Sequence, residues 1–572
     1  MMSSLKWWQK AVFYQIYPRS FADGNGDGIG DLPGIISKLD YLEKLGIDAI
    51  WLSPHYPSPQ FDCGYDIADY TAVNPEYGTL EEFKQFLNGA HQRGIRVILD
   101  LVLNHTSDQH KWFIESRSNR LSSKRSWYIW KDSRNGGPPN NWESVFGGSA
   151  WELDQNTGQY YYHYFFKEQP DLNWRNPEVK QAMFNSVRFW LKLGVDGFRL
   201  DALDTIFEDP ALPDHTAQVP QAELRRVLQT TRSADERKYL QEQGAAMFQY
   251  QLNQPGVHQL MQELRAVVDE YPDRVLVGEA WINDIAYYGN GDNELHLIFN
   301  FPLMRTSRLT PTWVRANQRE RLASLPSIAW PCNTLGNHDQ PRIFNRFGDG
   351  QNDNALARIS LALMLALRGT PFLYNGEEIG MTDMYLKEIK QFRDSKAIWY
   401  YNTAIARPGA TLEEALAYTN QASRDKSRTP MQWHNNPNAG FCPPDIEPWL
   451  PVNPNYTSGI NVADQLNNPD SLLAFYQRML QLRRQTPALI AGDYIPLHQD
   501  SEDYLAFLRR SEADNQTCLV VLNMFEQRYR ISFDLPYSSA RVLFSSHTRD
   551  SDTDSLNTIS VAPFEIYIAE LR

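Results

Sequence analysis

Ile-Arg-Val-Ile-Leu-Asp-Leu-Val-Leu-Asn-His, residues 95–105, is a nearly unbroken apolar run that ends on a histidine. A strand buried on both faces is written this way, because neither face meets water and the usual alternation disappears. Immediately upstream, TLEEFKQFLNGAHQRG (79–94) opens with Thr79 and Glu82 in capping-box spacing and stops at Gly94. Before it lie a strand-like DAIWL (48–52) and PGIISKLDYLEKLG (33–46), which reads as one helix with Leu39, Leu42 and Leu45 on one face and Gly46 as its stop. VFYQIY (12–17) is another short β-rich run. Strand, helix, strand, helix, strand implies a parallel sheet.

The alternation breaks over 106–172, where NGGPPNNW and GQYYYHYFF suggest a small irregular or β insertion. It resumes with NPEVKQAMFNSVRFWLKLG (176–194), a helix with Asn176 as N-cap, Pro177 at its first position and Gly194 as its stop. Its apolar stripe is Val179, Met183, Val187, Trp190 and Leu191. VDGFRL (195–200), RVLVGE (274–279), HLIFN (296–300), a stretch near 328–335 and TPFLYNG (370–376) complete about eight parallel strand candidates. That number predicts a closed (β/α)8 TIM barrel, an α/β fold. QAELRRVLQTTRSADERKYLQEQ (221–243) reads as a helical excursion above the barrel, within a longer 205–255 segment. Residues 380–460 read as a long loop or subdomain, and from about 490 short alternating strands form an all-β module.

Composition narrows the function. The chain of 572 residues is 42% hydrophobic and 22% charged, as expected of a soluble globular protein. Its net charge of −14, from 55 basic and 69 acidic residues, argues against nucleic acid or an anionic membrane as the main partner. Aromatics reach 13%, including 16 Trp and 29 Tyr; flat faces with polar edges suit sugars, although they also fill large cores. Cys63, Cys332, Cys442 and Cys518 are scattered, which fits free thiols in a reducing compartment. No window offers a membrane span, and the N-terminus lacks a signal-length apolar stretch, so the expected location is the cytoplasm.

Polar residues gather where strand candidates end: His105 after DLVLNH, Arg199 and Asp201 in GFRLDALD, Glu279 in GEAW, His338 and Asp339 in NHDQ. In a barrel these ends share the face that carries active sites. Metal-assisted hydrolysis would want a close His pair, and there is no H-E-x-x-H. Glycoside hydrolysis needs one carboxylate as nucleophile and a second carboxyl as acid. Asp201, Glu279 and Asp339 supply these and a third anion.

DLVLNH, GFRLDALD, GEAW and NHDQ resemble, in order, the four motifs of the α-amylase family, glycoside hydrolase family 13. The opening WWQKAVFYQIYPRSFADGNGDGIGDLPGI and the later SRTPMQW resemble its α-glucosidase and oligo-1,6-glucosidase branch. The resemblance spans essentially the whole chain. It implies barrel domain A over 1–104 and 174–488, an inserted B domain over 105–173 and a C-terminal β-sandwich domain over 489–572. It implies that Asp201 is the nucleophile, Glu279 the general acid/base and Asp339 the transition-state stabiliser. His105 and His338 are implied to bind hydroxyls of the first sugar, and Tyr65 to stack beneath it. Asp62 and Arg428 are implied to pair at the closed end of the pocket. Arg199 lies two residues before the nucleophile on a strand, shares its face, and is expected to keep Asp201 ionised. A retaining mechanism implies carboxyls of 201 and 279 about 5–5.5 Å apart, and needs a protonated Glu279, which the neighbouring anions favour.

DGNGDGIGD (23–31) places oxygen-bearing side chains at every second position, as calcium loops do, but Gly34 stands where an EF-hand has its closing Glu. On its residues alone it is either a different cation site or an acidic glycine turn. The resemblance implies a structural cation held by Asp23, Asn25, Asp27, Asp31 and the Ile29 carbonyl; these hard oxygens select Ca²⁺ or Mg²⁺.

In this branch the residue after the nucleophile tends to be Val in α-1,6-cleaving members. Here it is Ala202, which favours α-1,4 bonds of maltose and short oligosaccharides; the closed pocket that the resemblance implies means that one glucose is removed at a time from a chain end. Oligo-1,6-glucosidase, sucrose- or trehalose-acting hydrolase and isomerase are the alternatives, with transglucosylation as a side activity. A non-catalytic transporter-subunit-like interaction domain is the rival from another class; it lacks the catalytic trio that is present here. The expected partner is a small oligosaccharide, with the chain as monomer or homodimer.

Overall fold

The computed structural model describes residues 5–231 and 233–572. Eight parallel strands follow one another round a barrel: Phe13–Ile16, Ala49–Leu52, Arg96–Val102, Gly197–Asp201, Val275–Gly278, Leu297–Ile298, Cys332–Thr334 and Thr370–Tyr374. The eighth pairs back onto the first, Phe13 opposite Phe372, and a parallel bridge from Phe299 to Cys332 joins the sixth to the seventh. The apolar run at 95–105 is the third strand, buried from Val97 to Val102. Each aliphatic side chain so buried contributes roughly 1.5–3 kcal/mol. The sixth strand is only two residues long, shorter than HLIFN suggested.

An aromatic layer fills the barrel. Phe13 and Phe372 stack at 4.3 Å, Phe299 meets Phe372 edge-on at 4.9 Å, and Trp51 lies 5.6 Å from Phe299. Around the barrel, helix Leu80–Gln92 starts on the Thr79/Glu82 capping box. Helix Pro177–Leu193 is capped by Asn176 and ended by Gly194 at φ 106°, with the predicted stripe buried.

The helix expected over 33–46 is two, Leu32–Ser37 and Leu39–Leu45, broken at Lys38. Its start is fixed by Asp31, whose carboxylate accepts the Gly34 N–H at 2.7 Å. Gly34 is required there: a Cβ would fall 2.0 Å from the Ala22 carbonyl oxygen.

Three segments rise over the barrel mouth. The first carries an antiparallel sheet of Trp130–Asp132, Gln159–Tyr162 and Trp151–Asp154. The second contains helices Gln221–Thr230 and Ala234–Phe248, and the third helices Ser395–Ile405 and Leu412–Ala422. Beyond the barrel, a six-stranded sheet packs Leu508, Leu519 and Val521 against Ile531, Ile559 and Val561 of a two-stranded sheet, which makes the C-terminal β module. All four cysteines are free and buried. Among the described residues no helix is long and apolar enough to cross a membrane.

Candidate active site

The parallel register sets Arg199 on the fourth strand opposite Asp100 on the third, and Asp201 opposite Val102. Arg199 is fully buried, its guanidinium 5.0 Å over the Trp51 ring of the aromatic layer. Its Nη1 donates to Asp100 Oδ1 at 2.8 Å and to Asp201 Oδ1 at 2.6 Å, while Nη2 reaches Glu279 Oε2. One planar cation therefore gathers three carboxylates from three strands, the geometry a guanidinium fork favours. Trp281 Nε1 donates to the other Glu279 oxygen at 3.0 Å.

Asp339, after the seventh strand, is bonded by Arg428 Nη2, with Arg424 Nη1 at 3.8 Å. Burial would raise its proton affinity, but His338 and the charges of Arg428 and Arg424 hold it well below the usual carboxylate range. His338 itself is kept neutral by burial, so the arginines carry that effect. Asp201 moves the other way. Burial, with Asp100 beside it, pushes it up to about 7 despite Arg199. The expectation that Arg199 keeps Asp201 ionised is thus corrected: the same guanidinium is shared with two more carboxylates.

Asp201, Glu279 and Asp339 all face one cavity of about 340 Å³, with Asp62, Tyr65 and His105. The insertion contributes Phe146 and Phe165 to its wall, the 205–255 segment Leu252, and the third segment Lys396 and Arg424. Tyr65 packs flat against His338 at 5.4 Å, and its hydroxyl bonds His338 Nε2 at 2.6 Å. His338 Nδ1 faces Gln15 Nε2 at 2.7 Å. His105 faces Gln169 Nε2 at 2.9 Å, and burial pushes it down to about 3, so its ring is neutral.

Three expectations change here. His338, Arg199 and Arg428 do not line the cavity; they are fully buried beneath it and hold the groups that do. Asp62 is not paired with Arg428. Its Oδ1 lies 2.6 Å from Arg424 Nη2, and Arg424 also binds Asp394 at 2.7 Å. The single 3-10 turn Asp425–Ser427 between the two arginines sends Arg424 to Asp62 and Arg428 to Asp339. The expectation that neighbouring anions favour a protonated Glu279 also changes, because Arg428 takes up Asp339 and Arg199 takes up Asp201.

Sequence reasoning missed Asp100, Arg424, Gln169 and Lys396. Asp100 had a signal: it is the one charged residue inside the apolar part of 95–105. Arg424 had a weaker one, since SRDKSR offers two arginines a turn apart and only the backbone decides between them.

In the 23–31 loop the side chains turn onto the loop's own amides. Asp23 accepts from Gly26 and Gly28, Asn25 from Asp27, Asp27 from Ile29, and Asp31 from Gly24, Asn25 and Gly34. Among the described residues no three His, Cys, Asp or Glu side chains form a group that could hold a metal. Each oxygen has two lone pairs, so the carboxylates and the Asn25 carbonyl retain acceptor capacity, and the all-oxygen donor set remains chemically apt for a hard cation.

The family model described as "Alpha amylase, catalytic domain" matches residues 15–492. An oligo-1,6-glucosidase of Parageobacillus thermoglucosidasius is 39% identical over 99% of both chains. An alpha-glucosidase of Pediococcus pentosaceus is 40% identical over 90% of this chain and 91% of its own. A solved isomaltulose synthase mutant from Erwinia rhapontici NX5, in complex with its natural substrate sucrose, superposes with a TM-score of 0.87 at 38% identity over the whole of both chains. With a buried arginine gathering carboxylates at a barrel mouth, these likenesses establish that the chain belongs to the α-amylase family and is a glycoside hydrolase.

Proposed function

We propose that the chain is an exo-acting, retaining α-glucosidase that removes terminal glucose from maltose and short oligosaccharides. The observation that carries this reading is the pairing of Asp201 and Glu279 on one guanidinium beneath a small cavity that both carboxylates and Asp339 line. Its volume lies near the lower end of the roughly 300–1,000 Å³ typical of ligand sites, which suits a short substrate end rather than a long chain.

Asp201 attacks the anomeric carbon of the terminal glucose as the glycosidic C–O bond breaks, and Glu279 delivers its proton to the departing oxygen. Glu279 then takes a proton from water, which attacks the glucosyl ester, releases α-glucose and restores Asp201. Asp339, held anionic by its arginines, offsets the positive charge of the oxocarbenium-like transition state. Asp62, Tyr65 and His105 recognise the glucose; Arg199, His338 and Arg428 position them and the carboxylates.

The α-1,4 preference rests on Ala202, which lines the cavity. Cleavage of α-1,6 bonds is the second reading, favoured by the name of the P. thermoglucosidasius relative. Glucose release from maltose, isomaltose, sucrose, trehalose and maltotriose tests this: maltose ahead of isomaltose supports α-1,4 preference, the reverse order replaces it, and isomerised sucrose without free glucose removes the hydrolase reading. A structural Ca²⁺ or Mg²⁺ on Asp23, Asn25, Asp27, Asp31 and the Ile29 carbonyl is kept as part of the proposal, on the chemistry of those donors.

A further inference from the structure

Each carboxylate that lines the cavity already has its donors. Asp62 has Arg424, Asp201 and Glu279 have Arg199, Asp339 has Arg428, and Asp204 accepts the Trp281 and Ile282 amides. Lys396 lines the same cavity, and among the described residues its ammonium makes no ion pair or side-chain hydrogen bond; it lies 6.0 Å from the Phe146 ring. The carboxylates nearest to it are spoken for: Asp394 takes Arg424 through both oxygens, and Asp339 takes Arg428. One turn along the same helix, Tyr400 accepts from Arg225, whose other nitrogen bonds the Val145 carbonyl. Among the described residues, Lys396 at the cavity wall and Arg225 behind it on Tyr400 therefore each lack an ion pair. Burial and the charges of Arg424 and Arg225 push Lys396 down to about 8 against the opposing pull of Asp394 and Asp339, so its charge is held at a cost that an anionic ligand would relieve. Its place in the first turn of helix Ser395–Ile405 adds the positive end of the helix dipole.

We propose that Lys396, with Arg225 behind it, is an anion-recognition element for the leaving part of the substrate, so that the preferred α-glucosides carry a carboxylate or phosphate on the aglycone. This rests on the α-glucosidase reading above. The charge belongs on the aglycone because the glucose is already met by two carboxylates, Asp62 at its hydroxyls and Asp339 at the charge of its transition state.

Matched pairs test it: maltobionate against maltitol for the carboxylate, trehalose 6-phosphate against trehalose for the phosphate. The wild-type chain should favour the charged member of at least one pair about tenfold in kcat/KM. Lys396→Ala should bring that ratio close to one, and Lys396→Glu should invert it. Calorimetry on the Asp201→Asn variant should show the same tenfold difference in Kd without turnover. Equal Kd values within both pairs overturn the proposal, as does a ratio that Lys396→Ala leaves unmoved. A tenfold binding difference with no hydrolysis of any of the four supports the anion site and sinks the hydrolase reading instead.

Discussion

Asp62 Oδ1 lies 2.6 Å from Arg424 Nη2, both side chains buried, while Arg428 four residues on is committed to Asp339. The two arginines therefore support different steps. Arg424→Met strands two buried carboxylates, Asp62 and Asp394, and should cost about 3–5 kcal/mol of stability together with a large rise in KM. Arg428→Met leaves the Asp62 pair intact and should lower kcat more than it raises KM. Thermal melts and steady-state kinetics on both variants check this; a larger KM effect from Arg428→Met than from Arg424→Met would restore the pairing expected from sequence.

The pH profile should report Asp201. Its carboxyl titrates near 7 in the folded protein because burial and Asp100 outweigh Arg199. Below that pH it gains a proton and loses its nucleophilic lone pair, so kcat/KM should fall as pH drops through about 7, as the free-enzyme limb reports. The same shift makes a stability term that is fully present below the unfolded value of 3.8 and lost as pH rises through about 7. A kcat/KM that stays flat down to pH 5 would contradict the environment described for Asp201.

Ala202 sits in the left-handed region at φ 44°, ψ 53°. A β-branched residue is strained there, so Ala202→Val should lose about 1–2 kcal/mol of stability. It should also raise the isomaltose to maltose ratio of kcat/KM. Denaturant midpoints read the first effect and the two-substrate assay the second; an unchanged ratio would remove the linkage argument.

Chelation should lower the Tm, because a cation bound only to the folded loop stabilises the fold by mass action. Metal analysis of the dialysed protein should find about one Ca²⁺ or Mg²⁺ per chain. An unchanged melt with no metal found would leave the loop explained by its amide hydrogen bonds alone.

The barrel was legible because its signals are periodic and local: apolar runs between capped amphipathic helices. The break at Lys38 was not, since Leu39, Leu42 and Leu45 keep helical spacing on either reading and only the tertiary approach of Gly34 to Ala22 fixes the first turn. At the site, polar residues at strand ends marked which side chains meet. They did not say which layer each occupies. His338 and Arg428 look like ligand-binding groups in sequence, yet lie under the cavity, because depth depends on the packing of Tyr17, Tyr65 and Gln15 around them. Lys396 carried no signal at all: an isolated lysine in a loop-rich segment reads as surface until the fold turns it inward.

The most direct test of the central claim is the mass of active-site peptides after inactivation with 5-fluoro-α-glucosyl fluoride, which slows release of a glucosyl ester. The account predicts one fluoroglucosyl group, attached to the peptide that contains Asp201. A label on the peptide that contains Glu279, or turnover of the reagent with no covalent adduct at any time, would contradict it.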